Sequence, residues 1–232
     1  LLLIGLFFLS TTIGLAQTTE TRRVLAGEDV AKFLSENGLF RFSTFSAGTY
    51  AMKNGSTAPA LLNYNLLLGE MQYISPQKEV LSIANPQDFS FFKVNDVTFY
   101  FRDGYKEIIK DYGTYKLAVG IEIVLTSEKT TAYGSPAGAT KTTTLSSFQG
   151  LGGNYNGGYS ELKPIENSVI TKKTTYYILD NKNSADVASK KNIQKIFGSN
   201  ALVADYLKSN SVNFNKREDL IKLLDFYAQQ AK

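Results

Sequence analysis

The sequence predicts an α+β protein in which a meandering antiparallel sheet, open or barrel-like, carries a short helical C-terminal segment packed on it. Three observations predict it. From Phe40 to about residue 125, aromatic and β-branched residues recur with a period of two. The dipeptides Asn54-Gly55, Asn95-Asp96 and Asp103-Gly104 separate these runs at short intervals, and tight hairpin turns need residues that tolerate positive φ. Apolar side chains at helical spacing become clear only after residue 184.

The first element is a targeting segment. Residues 1–16, LLLIGLFFLSTTIGLA, run from continuous apolar side chains into Gly14-Leu15-Ala16, with small residues at the positions a signal peptidase reads. A signal peptide cleaved before Gln17 is expected. The run is shorter than the roughly 20 residues of a bilayer-spanning helix, so the mature chain, residues 17–232, is expected to be an exported single domain without a membrane span. Residues 19–35 follow as a short lead with a helical pattern, Val30, Phe33 and Leu34 falling on one face.

Strands are then expected at residues 48–53, 61–65, 71–74, 80–83, 89–94 and 97–102, and beyond the turns at 105–109 and 115–125. In the last of these, Glu122 stands alone among Ile121, Ile123 and Val124 and should face out of an otherwise buried strand. The texture then changes. Residues 126–163 are crowded with Gly, Thr, Ser and Tyr and nearly devoid of aliphatic side chains, which predicts a long flexible surface loop. Strand character returns at 174–179.

The end of the chain reads as three helices, over 187–197, 201–208 and 216–227. The third carries Leu220, Leu223, Leu224 and Tyr227 on one face, with Asn215 placed to cap it and Glu218 three residues later. Helices this short do not stand alone, so they should cover the sheet.

Composition closes off much chemistry. The chain has no Cys and no His, which removes Ser-His-Asp and Cys-His nucleophile systems and zinc sites of the usual kind. The residue that carries lipid in bacterial lipoproteins is missing too. No metal and no cofactor is expected. The net charge of +4 conceals an asymmetry: residues 17–126 are close to neutral and the basic excess lies wholly in 127–232. That excess suits anionic partners, but solvated lysines on helix faces give the same count, and nucleic acid is not expected.

The remaining motifs are weaker than they look. The glycines at 150, 152, 153, 157 and 158 match neither a dinucleotide fingerprint nor a phosphate loop, because Tyr155 and Gly158-Tyr159 stand where Gly and Lys-Ser/Thr are needed. Ser75…Lys78 and Ser160…Lys163 have the spacing by which Lys can activate Ser, yet both sit in turn-like sequence beside proline. Glu70, Glu107, Asp111 and Glu122 could pair across a sugar, at roughly 5–9.5 Å, in a glycosidase. The richer signal is aromatic. Tyr sets a broad apolar face beside a hydroxyl, and Tyr64, Tyr73, Tyr100 and Tyr105 are the expected ligand-binding residues, with an envelope glycan, a peptide or another envelope protein as partner.

Lys53-Asn54-Gly55, Leu62-Asn63-Tyr64-Asn65 and Gly69-Glu70-Met71-Gln72-Tyr73 resemble a family of small exported bacterial envelope proteins marked by an LNYN…GEMQ(F/Y) pattern, itself uncharacterised. Residues 218–227 look like the closing helix of that family. The resemblance implies an exported, β-rich protein of the periplasm or cell surface with a helical tail, and supplies no catalytic residue. In the motif itself, Asn63 and Asn65 can hydrogen-bond backbone at a strand end, while Tyr64, Met71 and Tyr73 alternate onto a buried face. The expected function is non-enzymatic binding or envelope assistance; the alternative is a carboxylate-dependent hydrolase of envelope glycan.

Overall fold

The computed structural model describes residues 17–28, 38, 40–130, 136–144, 167–181, 184–197 and 201–230. The signal segment, the helical positions Val30, Phe33 and Leu34, and the glycine cluster at 150–158 lie outside the described residues. Within them the chain forms an antiparallel sheet followed by three helices, the α+β arrangement its periodicity predicts. The strands are β1 (Gln17–Val24), β2 (Ser46–Met52), β3 (Thr57–Asn65), β4 (Glu70–Ile74), β5 (Val80–Ser82), β6 (Phe89–Val94), β7 (Val97–Phe101), β8 (Tyr105–Asp111), β9 (Tyr115–Thr130), β10 (Pro136–Thr144), β11 (Ser168–Asp180) and β12 (Ala185–Val187). The helices are α1 (Lys190–Phe197), α2 (Ala201–Ser209) and α3 (Arg217–Gln230).

The strands lie in the order β1-β11-β9-β8-β7-β6-β2-β3-β4-β5, with β10 beside β9 and β12 beside β11. From β2 to β9 the order mostly follows the meander that the turn dipeptides predict. Asn95 and Asp103 take left-handed φ of 52° and 48°, and Gly55 and Gly104 take 89° and 87°, the conformations for which those residue types are suited.

Four expectations need correction. Residues 17–24 form a strand rather than the start of a helical lead, because they pair antiparallel with β11 from Gln17↔Thr175 to Val24↔Ser168. The segment 126–163 is not loop throughout: β9 runs on to Thr130 and β10 returns along it, from Pro136↔Thr130 to Thr144↔Val124. A threonine-rich stretch lacks apolar side chains but keeps the β-branched geometry that suits a ladder. The first helix starts at Lys190 because residues 185–187 pair with β11 instead, and Ser189 Oγ accepts the Asn192 amide at 3.3 Å. Asn215 does not cap α3. Its own amide donates to Asn213 Oδ1, and Asp219 Oδ2 reaches back to the Asn213 amide at 2.9 Å, which closes the helix start from the other direction.

Two hydrophobic cores result. The strand core gathers Leu62, Tyr64, Met71, Phe92, Phe99, Ile123 and Ile170. These come from strands as far apart in the order as β4 and β11, so the sheet curls over itself while its ends stay open. The helix core lies at the other end of β9 and β11, where Leu117 and Ile178 meet Ile193, Phe197, Val203, Leu220, Leu223 and Leu224. As expected from Leu62-Asn63-Tyr64-Asn65, Asn63 Oδ1 accepts the Phe42 and Tyr64 amides and Asn65 Oδ1 accepts those of Leu67 and Leu68. Both asparagines are buried, so these bonds satisfy backbone that water cannot reach.

The α3 helix is also pinned electrostatically. Asp225 accepts hydrogen bonds from Lys110 Nζ at 2.7 Å and from Tyr112 Oη at 2.7 Å. Burial disfavours the charged carboxylate, but the bonds from Lys110 and Tyr112 outweigh it and hold the Asp225 carboxyl below its ordinary range.

Leu224 is fully buried, whereas Leu61 is 46% exposed. In urea denaturation Leu224→Ala should therefore cost about 2–5 kcal/mol, and Leu61→Ala should stay within about 0.5 kcal/mol of the parent. A carboxyl depressed in the folded state stabilises above its unfolded pKa, near 3.9 for Asp, and loses that contribution as pH falls through the folded value. Asp225→Asn should accordingly lower stability by about 1 kcal/mol at pH 7, and the gap to the parent should close as the pH drops below about 4. Melting curves at pH 7 and pH 3 measure it.

Candidate functional site

Alternate residues of β9 share one face of the sheet: Tyr115, Leu117, Val119, Ile121, Ile123 and Leu125. Tyr115 and Leu117 belong to the helix core, while Ile123 and Leu125 belong to the strand core with Ile121 at its margin. Val119 belongs to neither. The same division runs along β11, where Ile178 opposite Leu117 lies in the helix core and Ile170 opposite Leu125 lies in the strand core. Between them stand Tyr176, opposite Val119, and Lys172, opposite Ile123.

Over this middle stretch the two cores do not meet, and a cleft of about 470 Å³ opens above the sheet. Its floor is aliphatic: Ile109, Val119, Ile121, Ile123 and Ile170. Among the described residues its walls carry four cations, Arg22, Arg41, Lys172 and Arg217, against two carboxylates, Glu20 and Glu107. The volume is in the range of small-molecule sites, which combine apolar surface with a few placed polar groups.

Strands place Glu20, Arg22, Glu107 and Lys172, while Arg41 comes from the segment before β2 and Arg217 from the start of α3. Glu107 stands opposite Val119 on β8. Arg41 is anchored by its amide, which donates to the Tyr64 carbonyl at 2.9 Å, and its guanidinium grips Glu107 through two bonds of 2.7 and 2.9 Å. That hydrogen bond raises the Arg41 pKa further despite partial burial, so the guanidinium keeps its charge. On the far side, Glu20 and Arg22 of β1 lie opposite Lys172 and Ile170. Lys172 and Glu20 are 3.7 Å apart with both side chains well exposed, a weak pair. At the helix end, burial and nearby Glu218 raise the pKa of Tyr176 against the pull of Arg217, so its hydroxyl stays protonated and available as a donor.

A second cavity, of about 420 Å³, meets the cleft at Leu66, Ile121 and Ile123. Lys106 lies in it, only 6% exposed. Its Nζ donates to the Asp103 carbonyl at 2.7 Å and stands 4.7 Å from the centre of the Tyr177 ring. Burial lowers its pKa, with Asp103 and Glu122 acting in the opposite sense. Gly120 makes room for this arrangement, since a Cβ there would come within 3.0 Å of the Tyr177 ring and 3.3 Å of Lys106 Cδ. The lysine closes the β7–β8 turn and fills the space over Tyr177.

The tyrosines expected at the site are divided by the fold. Tyr64 and Tyr105 come together, ring centres 5.5 Å apart, but inside the strand core against Phe92, Phe99 and Phe101. They reach only the edge of the second cavity. Burial pushes both hydroxyls far above the usual tyrosine range, and Tyr105 Oη, beside the Met71 amide, makes no hydrogen bond of good geometry among the described residues. Tyr73 packs at the margin of the same core. Tyr100, on the other face of β7 from buried Phe99, has Arg102 5.6 Å from its ring centre.

Of the four expected carboxylates, the cleft is lined by Glu107 and the second cavity by Glu122, so neither brings two of them together. Glu70 accepts the Ser82 hydroxyl at 2.6 Å, Asp111 pairs with Lys116 at 2.9 Å, and Glu122 is exposed on the opposite sheet face, as its lone position in an apolar strand predicts. Glu107 alone reaches the cleft, where its neighbour is Glu20. Among the described residues no three acidic side chains gather as a metal site, and no helix is long and apolar enough to cross a membrane. Sequence reasoning missed Glu20, Arg22, Arg41, Lys172 and Arg217. The one signal that could have found part of the set is the unbroken aliphatic alternation of Val119, Ile121 and Ile123.

The Arg41–Glu107 grip ties the segment before β2 to the middle of the sheet. Glu107→Ala should cost roughly 1–3 kcal/mol in a denaturation experiment, through the stranded guanidinium, and Arg41→Met combined with Glu107→Leu should recover part of that loss. Compared with protein-family models, curated proteins and solved structures, the chain matches none.

Proposed function

We propose that this chain is an exported binding protein of the bacterial envelope, which takes its ligand in the cleft between the two cores and does no covalent chemistry on it. The observation that carries the reading is the position of Val119, half-buried on a sheet face that both cores leave uncovered. Apolar surface costs free energy in water, and here it forms the floor of a walled concavity rather than a scattered surface patch. The likeness of residues 53–73 to exported envelope proteins supports the compartment.

A hydrolase of envelope glycan is the second reading, and Glu20 and Glu107 in one cleft are what favours it. Against it stands the state of Glu107, whose two oxygens both accept from Arg41. A glycosidase carboxyl must present an oxygen to the glycosidic bond or to water, and here both oxygens are taken by the guanidinium.

Thermal-shift screening of the 17–232 protein against glycan fragments, peptides and amphiphiles should find a class that raises the melting temperature. Val119→Trp, which fills the cleft from a position outside both cores, should abolish that rise while the protein stays folded. Unchanged binding by Val119→Trp would place the site elsewhere. Glycan turnover that is lost in Glu107→Gln would replace the binding reading with the hydrolytic one.

A further inference from the structure

We infer that the ligand class of this cleft is a single-chain anionic amphiphile, its hydrocarbon lying along β9 and its carboxylate or phosphate head held by Lys172. The inference rests on the cleft being the binding site and goes further by naming what fits it.

The length of the floor limits the chain. Val119 and Ile123 are four residues apart on one strand, about 13 Å, and Ile109 and Ile170 widen the apolar strip on either side. An extended hydrocarbon advances about 1.2 Å per bond, as an extended polypeptide backbone does. The strip thus matches a chain of roughly ten carbons.

The charges choose the head. Among the described residues, cations outnumber carboxylates four to two around the cleft, and the two-bond pairing of Arg41 with Glu107 is internal to the protein. Lys172 is differently placed. Its link to Glu20 is long and exposed, so little is lost when an incoming anion replaces that partner. Ile123 lies directly opposite Lys172, and Ile170 is two residues along the same strand as the lysine, so an anion bound there leaves its chain over the aliphatic floor. A cationic head would meet the excess of like charge, and a sugar would bury hydroxyls against isoleucine and valine, which offer no hydrogen bonds.

Titration calorimetry below micelle-forming concentrations tests this with dodecanoate and dodecyl phosphate, with dodecanol and dodecyltrimethylammonium as chain-matched controls and acetate as the head alone. Dodecanoate and dodecyl phosphate should bind, dodecanol about tenfold more weakly, as expected for loss of one charge-assisted hydrogen bond, and the cation and acetate not measurably. Lys172→Gln should bring dodecanoate down to the affinity of dodecanol and leave dodecanol unchanged. Equal affinity for the anionic and cationic chains, or a Lys172→Gln protein that binds dodecanoate like the parent, overturns the assignment of the head. Absence of dodecanoate binding, in a protein whose other ligands are still displaced by Val119→Trp, overturns the ligand class and leaves the cleft standing. Dodecanoate bound equally by Val119→Trp and parent removes the cleft itself.

Discussion

The antiparallel pairing of β9 with β11, continuous from Ser168↔Ser127 to Asp180↔Tyr115, is the constraint on which the rest of the molecule depends. Along β9 this ribbon presents one face with aliphatic residues at alternate positions from Leu117 to Leu125, and such a face must be covered. No single element is long enough to do it. The helices, of eight, nine and fourteen residues, cover one end and draw their own stability from doing so. The curled strands β3 and β4 cover the other. The cleft is what remains between two solutions to the same burial problem.

Polar groups inside the strand core obey a second constraint. Asn63, Asn65 and Gln72 are almost wholly buried, and their side chains take up backbone groups of the 40–45 segment and of the β3–β4 turn, or bond to each other. This lets the chain turn tightly while Leu66 and Leu67 remain inside. Arg41 emerges from the segment so held, and therefore reaches Glu107 in a fixed position. One wall of the cleft is thus set by hydrogen bonds in the neighbouring core.

What could be read in the sequence was local. Period-two alternation from Phe40 to Leu125, the turn dipeptides and the Leu220-Leu223-Leu224 face all carry their structural meaning within a few residues, and each is found in the structure, with the first full strand of the alternation starting at Ser46. The misses share a different character. Gln17–Val24 becomes a strand because of a partner about 150 residues away, and Pro136–Thr144 becomes one because β9 offers an edge. The cleft is worse still for sequence reasoning, since Glu20, Arg41, Glu107, Lys172 and Arg217 meet only after β1, β8, β11 and α3 are placed. Tyr64 and Tyr105 misled for a related reason: an amphipathic ring serves packing as readily as recognition, and composition does not distinguish the two.

Because Val119 lies in neither core, the position is released from the conservatism that packing imposes on its neighbours Leu117 and Ile123. Most substitutions in a protein are selected first for whether the fold survives them. Here a side chain can grow, shrink or change polarity at the centre of the cleft while the helix-covered and strand-covered halves keep their own contacts. On the proposed reading of the cleft, this leaves one position of the floor at which a change of shape or polarity alters what is held, while Ile123 and Ile170 keep their place in the strand core.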